Sequence, residues 1–331
     1  MNLSKLVQRV FNPSRYYREK NQLRERKEAE EARIQALVEE TANLRQRVQE
    51  LQGAYAPYDN GASNALLQRA RFIEPGESYV QASTTADTFL VEFPKSGVTW
   101  FSFLVGNTNL ILSKHPARVT WFNIGSFIHD IYISQKVPDP LPVPGSRIFK
   151  SHAMYRPEYS QLYNGAYCKV IYLVRDPRSA LSSYYYFLSK LGSFPGTMDD
   201  FLASDQGARS WKEHVESWTK QPPSFRIHFL RYEDLRSDTA GALRRIYKLC
   251  FGIEVPPKVL KEAVELSDLA HMRQAEMDYA EYASAALPPD FDFVRPGEPT
   301  EPRVPLTDKQ RAYIEEVCGD AMRKFHYLPQ T

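Results

Sequence analysis

A chain of 331 residues has room for one large or two small domains around a sizeable core. Its 42 Lys and Arg balance 40 Asp and Glu, a net charge of +2 that gives no electrostatic reason to expect nucleic acid. Cys168, Cys250 and Cys318 stand far apart with no C-x-x-C pair, which argues against a disulfide framework or a zinc site and for a reducing compartment.

Residues 1–20 form a basic leader, with Lys5, Arg9, Arg15, Arg18 and Lys20 against Glu19 alone. It reads as a solvated segment, with a weak membrane-surface or partner contact as the alternative. It lacks the apolar core of a signal peptide, and no run of ~18 apolar residues marks a membrane span, so a cytoplasmic protein is expected. Residues 21–52 shift to Glu, Arg, Gln, Ala and Leu without Pro or Gly. Ile34, Leu37, Thr41, Leu44, Val48 and Leu51 recur at alternating steps of three and four, a heptad seam. β-Branched residues at every a position and leucine at every d position predict a parallel two-stranded coil, hence a homodimer. A lone helix folded onto its own catalytic domain is the competing reading. Gly53 ends the seam, and residues 53–63 carry the Gly, Pro and Asn of a linker.

The globular domain, 64–331, opens with a short helix expected over Ala65 to Arg71. Thr88 to Phe93 is a short apolar β-prone run, read as a buried strand. Pro94-Lys-Ser-Gly97 breaks it, and a helix is expected onward to Leu112. Thr120 to Gln135 is aromatic and of ambiguous period. Strands are expected at Ser146 to His152, Cys168 to Val174 and Phe225 to Leu230, with a turn at Asn164-Gly165. Asp176-Pro177 is a cap followed by proline, starting a helix through Lys190. Further helices are expected at Met198 to Ala203, Ala208 to Lys220, Asp238 to Leu249 and Pro256 to Leu266. Asp278 to Pro305 is proline-rich and reads as a long functional loop. Thr307 to Gln310 is a capping box that opens a last helix to about His326. Strands alternating with helices predict an α/β fold, a mostly parallel central sheet flanked by helices.

Two stretches carry chemistry. A strand, a glycine-containing loop and a helix aim backbone N–H groups and a positive helix end at an anion. In this chain that is Lys95, Ser96, Gly97, Val98, Thr99 and Trp100. The lysine supplies charge, the hydroxyls supply hydrogen bonds, and the glycine permits close backbone approach. The order is not that of a G-x-x-x-x-G-K-[ST] loop, because the lysine precedes the glycine. Arg175 follows the strand ending at Val174, where open α/β sheets bind ligands, and Ser183 lies eight residues on.

Pro94 to Trp100 resembles the Y-P-K-S-G-T-T-W loop of PAPS-dependent sulfotransferases, which grips the 5′-phosphosulfate of 3′-phosphoadenosine 5′-phosphosulfate (PAPS). Arg175-Asp-Pro-Arg178 with Ser183 is similar to that family's 3′-phosphate segment. Gly207 to Trp218 and Arg231 to Leu235 resemble two further motifs, the second placing Tyr232 near the adenine. Phe293-Val-Arg-Pro-Gly297 is similar to the family's F-[VIM]-R-K-G lid, which implies roles for Arg295, Pro296 and Gly297; here Pro296 replaces the lysine and no G-x-W follows. Trp100 matches a tryptophan on the adenine side, and a Trp at a helix start also suits plain core packing.

Lys150-Ser-His152 resembles the family's K-T-H. The resemblance implies that His152 is the general base, that Lys95 sits on the bridging oxygen and that Lys150 neutralises the transferring group. His214 is expected to pack, and His129 or Asp130 to line the acceptor pocket. Glu233 and Asp234 are expected to be structural, and no metal is expected. The resemblance implies a P-loop-like fold and transfer of a sulfuryl group to a hydroxyl, less readily an amine, on a small molecule, glycan, lipid or protein. A phosphoryl-transferring kinase and a coiled-coil scaffold with a vestigial nucleotide site are the competing classes.

Overall fold

In the computed structural model, the described residues are Arg33, 88–130, 141, 143, 147–155, 169–221, 226–282, 292, 294 and 302–330. The chain divides into two units, Met1–Ser63 and Asn64–Thr331. The leader, the heptad seam (Arg33 apart), the linker, the helix expected at 65–71 and the turn at Asn164-Gly165 lie outside the described residues.

Five strands build one sheet: β1 (Thr88–Glu92), β2 (Ile128–Asp130), β3 (Ile148–Ser151), β4 (Lys169–Val174) and β5 (Arg226–Arg231). Their order is β2-β3-β1-β4-β5, and every pairing is parallel. The expected architecture is therefore present. All five residues of β1 are buried, as a central parallel strand covered on both faces demands.

The period of two divides the side chains between two cores. Phe89, Val91, Phe149, Val170, Tyr172 and Val174 face α3 (Pro177–Lys190), α5 (Ala208–Thr219) and α10 (Asp308–Lys324). Between α3 and α5 lies the short α4 (Met198–Ala203). Leu90, Ile148, Ile171, Leu173 and Leu230 face α1 (Val98–Leu112), α7 (Thr239–Ile246) and α8 (Pro257–Glu265). Each such aliphatic side chain contributes about 1.5–3 kcal/mol on burial.

Helix α1 is buried on nearly every side, polar residues included. Asn107 Nδ2 donates to Ser267 Oγ at 3.0 Å, and Val119 N donates to Asn107 Oδ1 at 2.9 Å. Thr108 Oγ1 donates to Leu104 O at 2.7 Å. These bonds offset the burial of polar groups and tie the helix behind the anion loop to its surroundings.

Local signals hold at the caps. Asp176 accepts from Arg178 N at 2.9 Å with Pro177 in the first turn, and Thr307 and Gln310 form both halves of a capping box. Three expectations change. Residues 120–130, of ambiguous period, become a one-turn helix α2 (Ile124–Phe127) and the edge strand β2. The helix expected through Leu249 ends at Ile246 and widens to a π turn, Tyr247–Phe251, closed by Gly252 at φ 69°. There the fully buried Tyr247 donates to Asn109 Oδ1 of α1 at 2.7 Å, so a tertiary hydrogen bond outweighs helical regularity. Residues from Asp278 are not loop from the start: α9 (Leu269–Tyr282) runs to Tyr282. Its mainly polar residues bury only Met272 fully among those described, which is why no clear apolar period announced it. A further short helix, α6 (Tyr232–Ser237), follows β5 directly. No described helix is long and apolar enough to cross a membrane.

Candidate active site

Parallel pairing brings the carboxyl ends of the strands to one edge. Val91 is in register with Ser151 on one side and Tyr172 on the other, and Glu92 with Leu173. The chain therefore leaves β1 into the loop 93–97, β3 into His152 and β4 into Arg175 at the same edge. The topology reverses around β1, the place where open α/β sheets take ligands.

The loop is tightly wound. Ser96 N donates to Phe93 O at 3.2 Å, and Ser96 Oγ donates to the same carbonyl at 2.8 Å. Lys95 has φ 71° and Gly97 φ 112°. At Gly97 a Cβ would lie 2.5 Å from the Tyr232 ring, so glycine is required both for the left-handed backbone and for the space. Thr99 and Trp100 occupy the first turn of α1, which follows at once. The N–H of Val98, expected to face the cofactor, donates to Glu92 Oε2 at 2.8 Å. Lys95 Nζ stands 4.6 Å over the Phe187 ring. Burial lowers its pKa to about 8, against the pull of Glu92 and with Arg303, Lys150 and Arg175 adding to the depression.

Arg175 is 8% exposed, donates to Lys95 O at 3.1 Å and lies 4.5 Å over the Tyr232 ring. Tyr232 in turn meets Trp100 edge-on at 5.8 Å, and Trp100 Nε1 donates to Ser267 O at 2.9 Å. Arg175, Tyr232, Trp100 and Gly97, from three sequence segments, thus form one cluster. Ser183 is buried on α3. Its neighbour Ser182 holds the segment after the proline-rich stretch, accepting from Val304 N at 2.6 Å and donating to Val304 O at 2.9 Å.

On the other side of β1, Lys150 Nζ pairs with Asp130 Oδ2 at 2.9 Å, across the register Asp130–Lys150. His152 Nδ1 lies 3.2 Å from Glu92 O. A carbonyl only accepts, so Nδ1 carries the proton and Nε2 keeps its lone pair. Burial and the nearby Lys150 push the His152 pKa down to about 3. The ring is neutral at physiological pH with Nε2 unprotonated, and the same causes weaken it as a base.

His214 does more than pack. Its Nε2 donates to His152 O at 3.1 Å, which leaves Nδ1 to accept from the Tyr172 hydroxyl at 2.7 Å. Burial lowers the His214 pKa to about 4, so this chain stays neutral and fixes the His152 backbone. His129 is buried in β2 against Phe149, at 5.9 Å between ring centres. Glu233 accepts from Asp176 N at 3.1 Å and from the Tyr327 hydroxyl at 2.8 Å, a structural role.

Sequence reasoning missed Glu92, Arg303 and the Tyr172–His214 relay. Glu92 was legible as the lone acid in an otherwise apolar strand. Arg303, 3.7 Å over the Tyr186 ring, had no local signal. Arg295, Pro296 and Gly297 lie outside the described residues. Among the described residues, no cluster of three His, Cys, Asp or Glu side chains is placed to hold a metal.

Residues 85–326 match the family model described as "Sulfotransferase domain". Sulfotransferase 2A6 of Rattus norvegicus is 28% identical over 255 residues, covering 72% of this chain and 85% of that protein. Sulfotransferase 1 family member D1 of Mus musculus is 28% identical over 201 residues, covering 57% of this chain and 66% of that protein. Among solved structures, retinol dehydratase in complex with androsterone and inactive cofactor PAP superposes with a TM-score of 0.55 at 19% identity. That likeness covers 78% of this chain and 85% of the other, and it concerns the fold.

Proposed function

We propose, from the premise that this chain belongs to the sulfotransferase-domain family and is a PAPS-dependent enzyme, that His152, Lys95 and Lys150 carry the transfer and that the Arg175 cluster anchors the nucleotide. PAPS supplies the sulfuryl group and a phosphate leaving group, and a hydroxyl is the acceptor. The observation that carries this reading is the convergence on one sheet edge of the cations Lys95, Lys150 and Arg175, a glycine with no room for a side chain and a neutral histidine. Such an edge fits a ligand with two separate anionic ends.

The roles carry the family resemblance over to these residues, and their place at one sheet edge supports it. His152 Nε2 takes the acceptor proton as general base. Lys95, at the loop, meets charge developing on the leaving oxygen, and Lys150 can turn from Asp130 to the transferring group. Ser96, Gly97, Val98 and Thr99 shape the 5′ end of the site, while Arg175 and Ser183 take the 3′-phosphate. Trp100 and Tyr232 flank the adenine, and a lid role for Arg295, Pro296 and Gly297, which lie outside the described residues, rests on the motif resemblance alone. The kinase and scaffold readings have no support from the family match.

Adenosine 3′,5′-bisphosphate at a hundredfold excess over its Kd is expected to stabilise the protein by about 2.7 kcal/mol. That corresponds to a Tm rise of roughly 5–10 °C in a domain of this size. ATP with magnesium should shift Tm far less, and an equal shift would sink the assignment of a 3′-phosphate site. Incubation with sulfur-labelled PAPS and a cell extract identifies the acceptor.

We also propose a cytoplasmic location, a domain boundary at 63/64 and a homodimer formed through residues 21–52, with the basic leader making at most a weak membrane-surface contact. The support is the heptad seam from Ile34 to Leu51. Full-length protein should scatter light at twice the monomer mass, and deletion of residues 1–53 should give an active monomer. A full-length monomer at micromolar concentration rules out the homodimer.

A further inference from the structure

The buried group that the transfer as described does not use is Glu92. Its side chain is fully buried at the carboxyl end of the central strand. Oε2 accepts from Val98 N, whereas Oε1 makes no hydrogen bond among the described residues. That oxygen lies 3.8 Å from His152 Nδ1, on the side of the ring that carries the proton. A carboxylate is costly to bury, and a half-satisfied one more so, unless something repays the cost. Lys150, Lys95, Arg175 and His152 all face it, and the Tyr172 hydroxyl feels its charge.

We propose that Glu92 is the positioning partner of His152: its carboxylate holds the Nδ1–H side of the ring and stabilises the imidazolium formed during transfer. This rests on the reading of His152 as the base. As the acceptor oxygen bonds to sulfur, the bond from sulfur to the phosphate oxygen breaks and its electron pair leaves with the phosphate. The acceptor proton goes to Nε2. The ring then carries a positive charge in a site where Lys150 and burial both oppose it. Asp130 offsets part of that charge but is paired with Lys150, and on the Nδ1 side of the ring the carboxylate oxygen is Glu92 Oε1. The arrangement has the logic of a base oriented by a third group.

Burial raises the Glu92 pKa to about 7, moderated by Lys150, the Val98 N–H, Lys95 and Arg175. The anion that His152 needs is present above that value and lost as the pH falls through it. Lys95, lowered to about 8, loses its charge on the other side. The rate should therefore be bell-shaped in pH, with the acid limb set by Glu92 and the alkaline limb by Lys95.

The experiment compares full-length wild type, Glu92→Gln, His152→Ala and the double variant. It reads the rate of label transfer from sulfur-labelled PAPS into a cell extract across pH, and binding of adenosine 3′,5′-bisphosphate by calorimetry. Glu92→Gln keeps an oxygen for Val98 N–H and should lower the rate on the order of 10- to 100-fold and erase the acid limb near pH 7. It should bind the bisphosphate no more weakly, since it removes a negative charge beside an anion site. Added to His152→Ala, it should change the rate less than about threefold. An active His152→Ala overturns the base reading itself. An inactive His152→Ala beside a fully active Glu92→Gln, or independent effects in the double variant, overturns this inference alone. Should Glu92→Gln fail to fold, histidine-selective nitrogen NMR of the wild type decides. The His152 ring signals should follow an ionisation with its midpoint near pH 7, and signals that stay flat from about pH 6 to 8 overturn the proposal.

Discussion

Replacing His152 with alanine is expected to lower kcat on the order of a hundredfold or more while leaving the affinity for adenosine 3′,5′-bisphosphate nearly unchanged. A hundredfold loss corresponds to about 2.7 kcal/mol of transition-state stabilisation, within the range of one well-placed base. The split between turnover and binding follows from where the residue sits. His152 lies beyond the end of β3 with its ring turned toward Glu92, whereas the residues assigned to the nucleotide cluster around Arg175 and Gly97. The fold should survive, because the His152 carbonyl, not its ring, accepts from His214. Single-turnover rates with labelled PAPS, beside calorimetric binding, check both halves. Full activity in this variant would remove His152 as the base; the next histidine, His129, is buried in β2.

Arg175→Ala should show the opposite pattern. In the structure the guanidinium donates to the Lys95 carbonyl and lies over the Tyr232 ring. Its loss removes a charge-assisted phosphate contact, worth roughly 1.5–3 kcal/mol per hydrogen bond. It also leaves the anion loop without one of its ties. Affinity for the bisphosphate should fall roughly 30- to 300-fold, while kcat at saturating PAPS falls less than about tenfold. Arg175→Lys should recover only part of the affinity, because an ammonium cannot reproduce the planar fork or the stacking. Titration calorimetry on the three proteins decides it. Unchanged affinity in Arg175→Ala would leave Arg175 a structural clamp on the loop and nothing more.

Much of the arrangement was legible along the chain because its causes are local. A continuous apolar run bounded by a breaker makes a buried strand, so Thr88 to Phe93 and the strand before Arg175 were readable within a residue or two. Caps are equally local, and Asp176-Pro177 and Thr307 to Gln310 start helices where their side chains say they should. Lys95, Gly97 and Arg175 could be singled out in sequence because they lie in the turns that follow strands, and His152 through its motif resemblance, since parallel strands deliver their carboxyl ends to one edge.

Other features depend on partners far away in sequence. The helix from Leu269 to Tyr282 lacks a strong apolar period and is held by a few contacts, with Trp121 Nε1 donating to its Met272 carbonyl. The π turn at Tyr247 exists because a hydroxyl reaches α1 more than a hundred residues earlier in the chain. His214 read as packing, since nothing around it shows that Tyr172 and the His152 carbonyl meet its two nitrogens.

Glu92 marks the boundary most sharply. The sequence by itself determined a parallel α/β sheet and an anion loop after a buried strand, since those follow from period and breakers, and its motifs resemble those of a family of sulfuryl-transferring enzymes. Only the tertiary structure decided that an acid in that strand is fully buried beside the Nδ1 of a histidine sixty residues later. The physical reason is that burial and charge pairing belong to the whole packed edge. A carboxyl's pKa and purpose are set by the cations and the ring that three separate strand ends bring to it.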